Sequence, residues 1–193
     1  YIHKHFPWSL YLGEYSRGLP AISWLLNWEG EGIIDRIDNP QTASIMEKVN
    51  IPIVNVSSGY VMNNVPLIER NDKKIAELAA DHFIELGLGQ FAYCGVNYNW
   101  SEWRKNHFKH YLEEKGLKCH IYPHDSESEM NWDQDRIRLT EWLYDLPKPA
   151  GVFAAFDSRA QNIIQICQNE NILVPERLAI IGVDNDELIC EFC

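Results

Sequence analysis

Residues 173–187 read LVPERLAIIGVDNDE. The first residues close a helix, Pro175 lies in a short turn, and LAIIGV (178–183) is an apolar run of strand length. That strand delivers Asp184, Asn185, Asp186 and Glu187 at its carboxyl end. In open α/β sheets, ligands bind outside that end, so the cluster is a candidate site. The same residue types also suit the cap of a following helix. Spacing alone does not separate the two readings.

Working outward, the pattern repeats. Strands are expected at 6–12, 32–35, 51–56, 90–95, 118–122 and 150–156. Helices are expected at 17–28, 39–48, 73–86, 102–115, 132–143 and 158–169. Within 73–86, Ile75, Leu78, Ala79, His82, Phe83 and Leu86 recur at helical spacing, and Gly87 follows as a C-terminal stop. Asn39-Pro40 opens another helix with proline in its first turn. Trp24 and Trp28, four apart, read as packing residues. Residues 97–101 read as a loop carrying Trp100. Strands that alternate with helices along the whole chain define an α/β protein with parallel sheets flanked by helices.

Composition narrows the function. The 193 residues are 46% hydrophobic, and 17 Lys+Arg face 28 Asp+Glu, a net charge of -11. Nucleic-acid binding needs clustered cations, so this chain is a poor candidate for it, and for a membrane surface. No apolar run approaches the roughly 20 residues of a membrane-spanning helix. Five cysteines (94, 119, 167, 190 and 193) at scattered spacing argue against a disulfide framework and for a reducing, cytoplasmic setting. Cys190 and Cys193 form a lone C-x-x-C with no second pair to complete a metal site.

Catalytic devices are scarce. The chain has no G-x-x-x-x-G-K phosphate cradle, no G-x-G-x-x-G, no G-x-S-x-G and no H-E-x-x-H. No enzyme, metal or cofactor is therefore expected. The expected strand ends instead hold Asp35 and Asp38, Asn71 and Asp72, Trp100 and Arg104, Asp157 and Arg159, Asp184 and Asn185. Carboxylates and guanidinium groups make paired hydrogen bonds to vicinal hydroxyls, and an indole covers the apolar face of a sugar ring. Each of these residues taken singly also suits a helix cap or a salt bridge.

The segments GEGIIDRIDN, VNIPIVNVSSGY, AADHFIELG with QFAYCG, WSEWRKNHF, FAAFDSRAQNIIQICQ and ILVPERLAIIGVDNDEL carry a resemblance. The chain resembles the effector-binding domain of LacI/GalR-type transcription regulators, which share the two-lobed fold of type I periplasmic binding proteins. Its nearest likeness is to the xylose-responsive branch. The resemblance implies a first lobe at 1–88 and a second at 89–193, with a pentose, D-xylose first, held in the cleft between them. It implies further chain on both sides: a first strand and helix before Tyr1, and a return segment beyond Cys193. Any DNA-binding domain is expected outside these 193 residues, in a homodimer whose surface includes the helix at 17–28. Arg104 matches the family's sugar-binding arginine, with His107 in place of a glycine. Trp100 matches a stacking tryptophan and Asp184 the strand-end aspartate. Asp157 matches the aspartate of an Asn-Asp pair whose asparagine is Phe156 here. The family's Asp-Asn pair is transposed to Asn71-Asp72. Asp35 and Asp38 are first-lobe candidates. A transport binding protein of the same fold is the alternative reading.

Overall fold

The computed structural model describes residues 9–11, 23–57, 59–123 and 132–191. The chain divides into two compact units, Tyr1–Glu69 and Arg70–Cys193.

In the first unit, strands β1 (Ile33–Asp35) and β2 (Ile53–Asn55) pair in parallel, Asp35 opposite Asn55. Helix α1 (Pro40–Met46) connects them. Asn39 caps it by accepting from the Thr42 amide at 2.8 Å, and Pro40 takes the first turn, where its missing N–H costs nothing. Ile37, Ala43, Met46, Ile53 and Leu25 form the core. The helix expected at 17–28 is described only from Ser23, as a single 3-10 turn, Ser23–Asn27, with Trp24 and Trp28 edge to face at 5.7 Å. The strand expected at 6–12 lies largely outside the described residues, and Ser9, Leu10 and Tyr11 are not in a strand.

The second unit is one parallel sheet with helices on both faces. Its strands are β3 (Phe91–Cys94), β4 (Cys119–Ile121), β5 (Ala150–Ala154) and β6 (Leu178–Ile181), in the order β4-β3-β5-β6. Every residue of FAYC and AGVFA is buried, as expected for parallel strands covered on both sides. Alternation sorts the side chains. Phe91, Tyr93 and Phe153 pack with Ala76, Ala80 and Phe83 of α2 (Asp72–Glu85) and with Phe108 and Leu112 of α3 (Asn99–Glu114). Ala92, Cys94, Val152 and Ala154 pack on the other face with Leu139 and Leu143 of α4 (Trp132–Asp145) and with Ile163 and Ile166 of α5 (Asp157–Asn169). Gly151 admits the Phe83 ring, since a Cβ there would lie 2.5 Å from it.

Two expectations change. The helix at 73–86, assigned to a first lobe ending at 88, packs as α2 on the second sheet, and the division falls between Glu69 and Arg70. Phe83 under β5 and the bond from Tyr111 Oη to Asp81 Oδ1 (2.8 Å) hold it there. Helix α3 begins at Asn99, so Trp100 is helical rather than in a loop. The Tyr98 carbonyl accepts from the amides of Ser101 and Glu102 at 3.0 Å, which starts the helix early.

Burial pushes the Cys94 and Cys167 thiols up to about 11, against the pull of Arg159 on the first and Lys148 on the second. A thiol whose folded pKa exceeds its unfolded value lends stability that is whole below the unfolded value, about 8.5. That stability is lost as pH rises towards the folded value. Urea midpoints are therefore expected to fall between pH 9 and 11, and less steeply in Cys94→Ala/Cys167→Ala.

Candidate functional site at the strand switch point

The chain leaves β3 towards β4 on one side and β5 towards β6 on the other, with α3 and α5 on opposite faces. The crevice at such a reversal is where open α/β sheets bind ligands. The loops after β3 and β5 flank it.

Gly95 lets the β3 loop turn close to the sheet, because a Cβ would lie 2.7 Å from both Ser101 Oγ and the Tyr93 ring. Tyr93 Oη donates to the Ser101 carbonyl (2.8 Å), and Ser101 Oγ accepts from the Val96 amide (3.0 Å). This anchors the start of α3. Trp100 and Arg104, four apart, then share one helix face, with the guanidinium carbon 5.4 Å from the indole centroid. Arg104 is 0% exposed. Its Nε and Nη2 donate to Asp72 Oδ1 at 2.9 and 2.6 Å, and its Nη1 donates to the Ala155 carbonyl. Asp72 is the first residue of α2, directly after the cap Asn71, whose Oδ1 accepts from the Lys74 amide at 3.0 Å. Above Trp100, Arg70 sits 5.6 Å from the ring and reaches Asp184 Oδ1 at 3.4 Å. Tyr98 stacks on Trp100 at 5.9 Å, and Phe156 meets it edge-on at 5.8 Å. Trp100, Arg104, Asp72 and Asp184 are thus joined through short contacts around one indole.

Asp184 and Asn185 both have positive φ, 106° and 53°, a region that non-glycine residues enter at a cost. Asp157 Oδ2 holds the turn by accepting from the Asp186 amide at 2.8 Å, and its own amide donates to the Val183 carbonyl at 3.0 Å. Asp186 Oδ1 in turn accepts from the amides of Leu188 and Ile189, capping the short helix α6 (Glu187–Glu191). The cluster read from the sequence therefore divides. Asp186 caps a helix, whereas Asp184 faces the aromatic site and Asn185 is exposed.

Arg159 is not at this site. It is buried on the opposite face of the sheet, with Nη1 2.5 Å from Asp135 Oδ2, Nε 3.1 Å from Cys94 Sγ and its guanidinium 5.1 Å from the Tyr122 ring centroid. Tyr122 Oη donates to Asp135 Oδ1 at 2.7 Å, and burial with that carboxylate pushes the phenol up. Asp157 is likewise committed to the β6 turn, and Asn71 to its cap. In the first unit, Asp35 ends β1 buried beside Asn55. Asn55 Oδ1 accepts from the amides of Ile37 (3.2 Å) and Ser57 (2.9 Å). Asp38 accepts from Ser57 Oγ and lies 3.7 Å from Arg36. Sequence reasoning missed Asp72 as the guanidinium partner, and also Arg70 and Tyr98. The spacing R-N-D at 70–72, ahead of a helix, is the only signal of the first two.

Residues 80–193 match the family model described as periplasmic binding protein-like domain, and the chain belongs to that family. Within it, this is a LacI/GalR-type effector-binding domain whose likeness runs to the xylose regulators. It is 32% identical over 167 residues to the Xylose operon regulatory protein of Haemophilus influenzae, covering 82% of this chain and 43% of the relative. It is 31% identical over 189 residues to that of Escherichia coli, covering 94% and 48%. The chain thus spans about half the length of these curated relatives. Among solved structures, a xylose-binding transcription activator matches at 32% identity and a TM-score of 0.74, over 83% of this chain and 44% of that one. A LacI family regulator from Enterococcus faecium with bound ribose matches at 20% identity and 0.72, over 95% and 68%, a likeness of fold alone.

Proposed function

We propose that the chain is the sugar-sensing domain of a cytoplasmic, homodimeric transcription regulator, and that it binds a pentose, D-xylose first. The observation that carries this reading is the Trp100 surface at the switch point, flanked by the pairs Arg104–Asp72 and Arg70–Asp184. An indole offers its face to the C–H side of a sugar ring, while carboxylate and guanidinium groups meet hydroxyls in pairs. The arrangement holds a ligand and performs no covalent step. Sugar binding then biases a pre-existing equilibrium between conformations by its differential affinity for them, and an attached DNA-binding domain outside this chain reads the shift. The likeness to xylose regulators over most of the chain supports both the sugar and the partner.

The test is unfolding against a panel of sugars. A ligand that binds only the folded state adds RT ln(1 + [L]/Kd), roughly 2.7 kcal/mol at 100 times Kd. D-Xylose is expected to raise the midpoint, and Asp184→Ala to abolish the rise. The Asp184 side chain is 46% exposed, so its truncation removes little packing, and the midpoint of the unliganded variant measures the cost of alanine at this positive φ. Failure of every pentose to shift wild-type protein would discard the reading.

A further inference from the structure

Asp72 is the outlying polar group of the site. It is 5% exposed, and its Oδ1 takes two bonds from Arg104 while Oδ2 is buried with no hydrogen-bond partner among the described residues. A buried acceptor left unmet is rare and costly. Arg104 is in the opposite condition. All three of its nitrogens donate to protein oxygens, and Trp100 covers its face. Three of its five N–H donors are so occupied and its charge is matched by Asp72, so an incoming carboxylate or phosphate meets a guanidinium already neutralised. The second cation beside the indole, Arg70, is matched by Asp184. Around Trp100 the two positive charges therefore meet two negative ones, and the buried atom left without a partner among the described residues is a carboxylate oxygen. Such an oxygen only accepts: it bonds a hydroxyl and repels an anion.

We propose that Asp72 sets the charge class of the ligand. Its Oδ2 accepts a hydroxyl of a neutral polyol and excludes sugar acids and sugar phosphates, although the site contains two arginines. This inference rests on the sugar-sensing reading and adds a specificity-determining residue to it. Asp72 places a carboxylate, not an amide, against Arg104. An asparagine at 72 would keep one acceptor for the guanidinium and leave its charge uncompensated, which favours anions.

The experiment is calorimetric titration of the protein with D-xylose, D-xylonate and D-ribose 5-phosphate. Wild-type protein is expected to bind D-xylose and to bind both anions roughly 100-fold more weakly, the scale of like-charge discrimination. Asp72→Asn is expected to cut that preference at least about tenfold, chiefly by gaining anion affinity. A merely structural role would weaken all three ligands together and leave the ratio unchanged. Asp72→Asn/Arg104→Gln removes both buried charges and guards against misfolding of the single variant. It too is expected to lose preference for the neutral sugar. Wild-type protein that binds either anion as tightly as D-xylose overturns the proposal, as does an unchanged ratio in a folded variant. Binding of none of the three probes, nor of any other pentose, would instead discard the sugar reading on which it stands.

Discussion

Arg104→Ala is expected to destabilise the protein by about 3–5 kcal/mol, the cost of leaving a buried carboxylate without its cation. Asp72 would lose both bonds to its Oδ1 while its Oδ2 has no partner among the described residues, and the Ala155 carbonyl would lose its donor. Trp100 would lose the guanidinium it covers. Typical domains hold only about 5–15 kcal/mol in total, so a urea titration would show a large fall in midpoint. The loss comes from orphaning one charge rather than from removing the pair. Asp72→Asn/Arg104→Met is therefore expected to recover most of it. A double variant no more stable than Arg104→Ala would show that the packing of the arginine stem, not its charge, holds the site. Loss of sugar binding in Arg104→Ala is accordingly weak evidence for a direct contact, and Asp184→Ala is the better probe.

Asp135→Ala is expected to have an effect of the same size, about 3–5 kcal/mol, for the same reason on the other face of the sheet. Arg159 reaches both Asp135 oxygens, at 2.5 and 3.3 Å, and Tyr122 Oη donates to one of them. Removing the carboxylate strands a buried guanidinium and a buried phenol together. Asp135→Asn keeps hydrogen-bonding capacity and is expected to cost less. The two variants differ from Arg104→Ala in their functional readout. At a sugar concentration far above Kd, a folded Asp135→Asn protein should keep the ligand-induced rise in midpoint, because Arg159 and Asp135 lie among the core side chains Cys94 and Tyr122 and away from Trp100. Loss of the rise would place Arg159 back in the binding machinery.

The contrast between the two arginines explains what the sequence could disclose. Helical spacing in 73–86 and the apolar runs FAYC, AGVFA and LAII identify the elements, because burial of whole faces imposes a period on residue type. Which sheet a helix covers is not a periodic property. The amphipathic face of α2 suits any apolar sheet, and only its packing assigned it to the second unit. The same limit applies at the site. Arg104 and Arg159 each stand past an expected strand end near an acidic residue, and residue type and spacing treat them alike; only the family resemblance singles out Arg104. Position on α3 or α5 sends one to the Trp100 side and the other to the Cys94 side. Asp157 and Asp184 likewise look equivalent as strand-end carboxylates. One secures a main-chain turn and the other faces Arg70, a division decided by contacts between segments that are distant in the chain.

The second sheet ends all its strands along one edge, and the residues that surround Trp100 begin just past those ends. Inside the ladder, β3 and β5 are bonded through main-chain groups and fully buried. Beyond it, Tyr98, Phe156 and Asp184 change what the edge offers without touching the ladder. Mutational drift can therefore act on the two layers separately. A scaffold so divided can change the side chains it offers a ligand through a few substitutions, with little toll on the ladder. For the same reason, a library randomised at Tyr98 and Phe156 should yield a high fraction of folded variants with altered ligand preference.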